Sequence, residues 1–118
     1  MANDVRGMLN ELNEGFATMG KADFSRMQAF IKFIRLVEAP GALDRKTKQL
    51  IALGIGICAR CQYCIVYHTN EALKAGATRD ELRETAFVAS LMGGAPAIDC
   101  SCTLAQDSIN TFAPDYEK

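Results

Sequence analysis

Apolar residues recur at intervals of three and four along most of this chain, and that spacing commits it to successive amphipathic helices. Met8, Leu12, Phe16 and Met19 share one face of a first helix that ends at Gly20. Asp23 can cap a second helix, in which Met27, Phe30, Ile34 and Val37 repeat the pattern until Ala39-Pro40-Gly41 breaks it. Asp44 can cap a third that runs toward Arg60, and a fourth starts near Cys61 and stops at Gly76, a residue suited to the left-handed backbone that closes a helix. Thr78-Arg-Asp-Glu81 has the form of a capping box, so a fifth helix runs from there to Gly93-Gly94. Pro96 suits a first turn and opens a sixth helix toward Asn110, while the tail from Ala113 to Lys118 is expected to fray. The expected fold is all-α, with about six helices.

One stretch departs from this pattern. Ile51, Leu53, Ile55 and Ile57 alternate with Ala52, Gly54, Gly56 and Cys58, the period of a strand. A strand leading into a Cys-x-x-Cys helix is also how thioredoxin-like domains are built. Two glycines would each cost a helix roughly 1 kcal/mol relative to alanine. Yet nothing on either side supplies partner strands, and a lone strand is not stable. The helical reading therefore stands, with Gly54 and Gly56 letting another helix approach closely.

At 118 residues the chain fits a single domain, residues 1–118, large enough to bury a core. Its formal charge of −1 provides no basic field for nucleic acid. The longest apolar run, Leu50 to Ala59, is about half of the roughly 20 residues a membrane-spanning helix needs. The N-terminal residues lack the apolar stretch of a signal peptide, so a cytoplasmic protein is expected. An apolar share of 49% is high for so small a domain and points to subunit interfaces. Five cysteines, an odd number, fit redox chemistry or metal better than a structural disulfide framework.

The chemistry concentrates in Cys58-Ala-Arg-Cys61-Gln-Tyr-Cys64-Ile-Val-Tyr-His68. With the fourth helix starting near Cys61, that thiol meets free N–H groups and the positive end of the helix dipole, which favour a thiolate. Cys64 follows one turn later on the same face, close enough for a disulfide within the helix. His68, the chain's single histidine, lies four residues further along that face. Two thiols and an imidazole in one stripe make a nucleophile, a resolving thiol and a base. Cys58, Cys100 and Cys102 are better read as small apolar packing residues.

Metal is the competing use of these residues. Cys58, Cys61, Cys64 and His68 mimic an iron–sulfur run, and Cys61, Cys64 and His68 with Cys100 or Cys102 could hold zinc. Three cysteines on continuous helix would not converge on one ion without a loop between them, so no metal or other cofactor is expected. Arg45-Lys46-Thr-Lys48 is expected to form a solvated face, and Glu81 and Glu84 fit an exposed helix rather than an acid/base pair.

Lys46-Thr-Lys-Gln-Leu-Ile-Ala-Leu, Cys61-Gln-Tyr-Cys64-Ile-Val-Tyr-His68 and Ala72-Leu-Lys-Ala-Gly-Ala-Thr-Arg-Asp-Glu-Leu together resemble the core of the carboxymuconolactone decarboxylase and alkylhydroperoxidase D superfamily, over about Phe30 to Ala105. The resemblance implies an all-α fold assembled as homotrimers or homohexamers. Its ring-cleavage decarboxylases do not depend on the cysteine pair, so the pair points to the redox branch, the alternative being a scaffold or decarboxylase-like protein whose cysteines are incidental. There, by resemblance, Cys64 is the buried peroxidatic thiol and Cys61 the more exposed thiol that exchanges with a thioredoxin-like or lipoyl-bearing reductant, while His68 helps deprotonate Cys64. Peroxide or a disulfide would be the oxidant.

The chain departs from the peroxidase pattern at two positions. A relay glutamate is expected twelve residues before the first cysteine, where this sequence has Gln49, and Tyr63 stands where the best-known peroxidases carry histidine. Glutamine can orient an imidazole but does not titrate. The proton relay would then end at His68, giving weak hydroperoxidase turnover with disulfide exchange through Cys61 intact. On that reading Gln49→Glu raises peroxidase activity.

Overall fold

The computed structural model describes residues 3–117 and is helical throughout its regular elements. Asp4 caps α1 (Val5–Ala22) by accepting from the Gly7 amide, and Asp23 caps α2 (Phe24–Glu38) through the Arg26 amide. Gly20 therefore lies inside the first helix rather than ending it. Asp44 caps α3 (Arg45–Cys58), which contains the alternating Ile51–Ile57 stretch, so the strand-like period yields to the helix. Next come α4 (Gln62–Lys74) and α5 (Arg79–Gly93), and Gly76 between them takes a φ of +99°. The capping box on α5 forms as expected, with Thr78 and Glu81 each accepting from the other's amide.

The expected sixth helix is interrupted. It consists of α6 (Ala95–Cys100), a π-helical segment at Ser101–Ala105 and α7 (Gln106–Phe112). Hydroxyls of Ser101, Thr103 and Ser108 donate to carbonyls four residues back, at Ala97, Asp99 and Leu104. Such back-bonding competes with the regular ladder and suits a widened turn. The tail does not fray over its described part. Ala113 is buried, the Tyr116 hydroxyl donates to Asn70 Oδ1, and Arg79 pairs with Glu117 at 2.7 Å. Met1, Ala2 and Lys118, parts of the two terminal expectations, lie outside the described residues.

At the centre α3 packs between α4 and α5, and α1 crosses α4 and α7. Leu53 and Ile57, Ile65 and Val66, Leu82, and Ile109 with Phe112 form the middle of the core, all nearly inaccessible. The α2 face behaves differently. Met27 is buried, but Phe30 and Val37 are about half exposed (53% and 49%), and Phe33 and Leu36 more so. Among the described residues no helix is long and apolar enough to cross a membrane.

The basic cluster at the start of α3 is not a solvated face. Arg45 pairs with Glu71 at 2.6 Å and Glu38 at 3.4 Å, and Lys46 with Glu81 at 2.9 Å. Lys48 Nζ donates to the carbonyls of Val37 and Ala39 at the end of α2. One turn of α3 thus anchors the last turn of α2.

The two glycines of α3 do unequal work. A Cβ at Gly56 would lie 2.9 Å from Cys64 Cβ, whereas one at Gly54 would meet only Thr85 Cγ2, at 3.6 Å. Alanine gains about 1 kcal/mol of helix propensity at either site. Overpacking a closed contact costs about 1–3 kcal/mol. Urea unfolding should accordingly show Gly54→Ala stabilised and Gly56→Ala destabilised. Equal gains for both would contradict the close approach of α3 to Cys64.

Candidate active site

The path from α3 into α4 is made by a closing motif without a glycine. Arg60 adopts a left-handed backbone with φ of +56°. Its amide donates to Ile57 O, and the Cys61 amide reaches back to Gly56 O at 3.0 Å. That pair of bonds satisfies carbonyls at the end of α3. Cys61 then serves as the N-cap of α4, its Sγ accepting from the Cys64 amide at 3.3 Å. One residue therefore ends one helix and begins the next, which aims its sulfur at the free amides of α4. No sequence signal marks Arg60, because glycine usually fills that position.

A disulfide joins Cys61 to Cys64, with Cα atoms 5.2 Å apart. Both residues are partly buried in the single chain, so burial does not rank the two thiols. Position does. Cys61 stands at the helix end and Cys64 one turn nearer the imidazole.

His68 and Gln49 meet as expected from the sequence. His68 Nδ1 lies 2.7 Å from Oε1 of Gln49, whose side chain is completely buried. The contact continues beyond it, because Gln49 Nε2 donates to Glu38 Oε1, also at 2.7 Å. An amide nitrogen that donates to a carboxylate leaves its oxygen facing His68, so Nδ1 carries the proton and Nε2 is the free basic nitrogen. A neutral amide passes no proton, so a proton relay still ends at His68, but a carboxylate on another helix stands behind Gln49. Glu38 was not legible beforehand, since it reaches the site across the Pro40-Gly41 break and follows no helical spacing from Gln49.

Burial pushes the His68 pKa below its ordinary value, with the carboxylates of Glu38 and Glu71 pulling it up and Arg45 pushing it down. Burial likewise raises the Tyr67 phenol to about 12, assisted by Glu38 and Glu71. The Tyr67 ring meets the His68 ring edge-on, with centroids 4.9 Å apart. Tyr63 is held by a hydrogen bond from its hydroxyl to Glu11 of α1. Cys61, Cys64 and His68 open into a cleft of about 810 Å³, walled by Leu12 and Phe16 of α1 and Phe30, Ile31 and Ile34 of α2.

The remaining cysteines lie elsewhere. Cys58 lines a separate groove between α3 and α5, and its thiol donates to Ala89 O. Cys58 and Cys102 are exposed, so packing as small apolar residues describes only Cys100, which lies against the core. Among the described residues no three His, Cys, Asp or Glu side chains converge for a metal ion.

Since His68 binds its proton less readily when folded, the unfolded chain holds more protons between the folded value and about 6.5. Stability is therefore complete above that range and declines as pH falls through it. Urea midpoints of the oxidised protein should fall between pH 7.5 and 5.5 by more than those of His68→Gln. Equal declines would mean that the imidazole is not held neutral by burial.

A family model described as the carboxymuconolactone decarboxylase family matches residues 26–107. An uncharacterised protein of Cupriavidus necator is 34% identical over 112 residues, covering 93% of this chain and 99% of that protein. A carboxymuconolactone decarboxylase family protein of Legionella pneumophila, in a crystal structure described as its apo form, is similar with a TM-score of 0.84 and 28% identity, over 98% of this chain and 100% of that one. A Thermotoga maritima family protein, described as a candidate for a role in antioxidative response, has a TM-score of 0.73 at 25% identity, over 91% of this chain and 87% of its own.

Proposed function

The chain belongs to the carboxymuconolactone decarboxylase family, and within it we propose that this protein is a thiol–disulfide oxidoreductase that cycles its Cys61–Cys64 pair. The observation that carries this reading is the disulfide at the start of α4, opening into the same cleft as His68. In the reductive half, a thiolate of a dithiol reductant attacks Cys61 Sγ and breaks the disulfide, releasing Cys64 as thiolate. The reductant's second thiol then displaces Cys61, leaving an enzyme dithiol and an oxidised reductant. A thioredoxin-like or lipoyl-bearing protein has the required chemistry.

In the oxidative half, Cys64 gives its proton to His68 Nε2 and attacks the terminal oxygen of a hydroperoxide. The O–O bond breaks, and the departing alkoxide takes the proton from His68 and leaves as alcohol. Cys61 then displaces hydroxide from the Cys64 sulfenic acid, reforming the disulfide with loss of water. A disulfide substrate would follow the same two-electron course by exchange. The aliphatic and aromatic cleft wall favours an oxidant with an apolar body over a strongly charged one.

Coupled assays with a dithiol reductant and either an alkyl hydroperoxide or a small disulfide test the proposal. Turnover with either oxidant that requires both Cys61 and Cys64 supports it. Turnover unaffected by their removal, or none with either oxidant, would overturn it.

The same reading includes self-association. Phe24, Phe33 and Leu36 on α2, Ile55, Val88 and Met92 lining the α3–α5 groove, and Phe87 and Leu91 elsewhere on α5 leave more apolar surface exposed than single scattered residues would. These faces are assigned to contacts between copies, as a homotrimer or homohexamer. Light scattering that reports a stable monomer at micromolar concentration would contradict that assignment.

A further inference from the structure

We propose that Glu38 is a positioning residue for the thiol chemistry, acting on His68 through the Gln49 side chain and supplying the negative charge that position 49 lacks. This deepens the proposed function and rests on it. The contacts run in one line: Glu38 Oε1 accepts from Gln49 Nε2 at 2.7 Å, and Gln49 Oε1 lies 2.7 Å from His68 Nδ1. Gln49 is fully buried, so the amide end of both contacts is shielded from water. A neutral amide cannot carry a proton through this line, but it can fix the imidazole tautomer and transmit polarisation from the carboxylate.

The neighbourhood supports a role for the charge as well as the contact. Around His68 stand Arg35 and Glu38 from α2, Arg45 from α3, Tyr67 and Glu71 from α4, and Cys61, Tyr63 and Cys64 along the cleft. α1 adds Leu12, Asn13 and Phe16 to the cleft, with Glu11 engaged by Tyr63. Arg45 pairs with both Glu38 and Glu71, so the three groups held together carry one uncompensated negative charge. That charge favours His68 when it receives the Cys64 proton, and opposes the effect of burial. The placement of Glu38 is itself secured, because Lys48 holds the carbonyls on either side of it.

The test is the pH profile for oxidation of the reduced full-length protein by hydrogen peroxide, followed by formation of the Cys61–Cys64 disulfide. Glu38→Gln retains size and hydrogen bonding but removes charge. It should slow oxidation at neutral pH by about tenfold or more, because a weaker imidazole base takes the Cys64 proton less readily, and move the acid limb of the profile to lower pH. Gln49→Glu placed in the Glu38→Gln protein returns a carboxylate to the line and should restore both rate and profile. Gln49→Glu alone should gain little, since two carboxylates in contact share one proton.

An unchanged profile in Glu38→Gln, or a slowed variant that the second substitution does not restore, would overturn the proposal. A melting-temperature change without a profile change would also overturn it, because it would assign Glu38 a purely structural role. If the natural protein forms no disulfide with peroxide or with a disulfide oxidant, the proposed function itself fails. The two failures are therefore distinguishable.

Discussion

Replacing Cys64 by alanine should lower the rate of peroxide consumption by on the order of 10³-fold or more, because the attacking sulfur is gone. Cys61→Ser should behave differently. Its first oxidation should proceed near the natural rate, after which the protein stalls as a sulfenic acid on Cys64. Serine is a good N-cap, so the start of α4 survives the exchange of the sulfur that accepts from the Cys64 amide. The contrast is measured by rapid mixing for the first turnover and by coupled assay for the steady state. If Cys61→Ser forms an intramolecular disulfide through Cys58, the pairing is wrong. The structure makes that outcome unfavourable, since Cys58 faces the α3–α5 groove and donates to Ala89 O.

The second large effect is expected at His68. Loss of a positioned base costs about 10²- to 10⁴-fold in rate. His68→Gln should show a loss in that range for peroxide at neutral pH, diminishing as pH rises and hydroxide generates the thiolate without help. Glutamine can still meet the Gln49 carbonyl, so the buried amide keeps a donor. Exchange at Cys61 with a small dithiol should fall much less, because the thiolate there is favoured by the amides at the start of α4. A uniform loss across pH and across both reactions would mean that His68 supports the fold of the site instead of acting as its base.

Helix positions were largely legible because their punctuation is local. Asp4, Asp23, Asp44 and Thr78 each accept from an amide three residues on, and Asp23, Asp44 and Thr78 are caps a sequence reader expects. The Cys61–Cys64–His68 stripe was legible for the same reason, being a matter of spacing within one helix. Interactions between helices were harder to read. Arg45, Lys46 and Lys48 form a solvated cluster by sequence, yet each finds a partner on another element. Glu38 joins the site only because α2 folds back so that its last turn meets the first turn of α3. The interruption at Ser101–Ala105 was also missed, since hydroxyls inside an apolar helix give no period of their own.

Whether Cys61 and Cys64 form a reversible redox pair is decided by counting thiols and mapping disulfides in the anaerobically purified protein. Five cysteines are present, of which three are free when the pair is closed. Five reactive thiols are expected after reduction and denaturation. After one equivalent of hydroperoxide three should remain, with a loss of two hydrogens confined to the peptide carrying Cys61 and Cys64, reversible by dithiol. Five thiols persisting after the oxidant, or a disulfide mapped to Cys58, Cys100 or Cys102, would contradict the pairing.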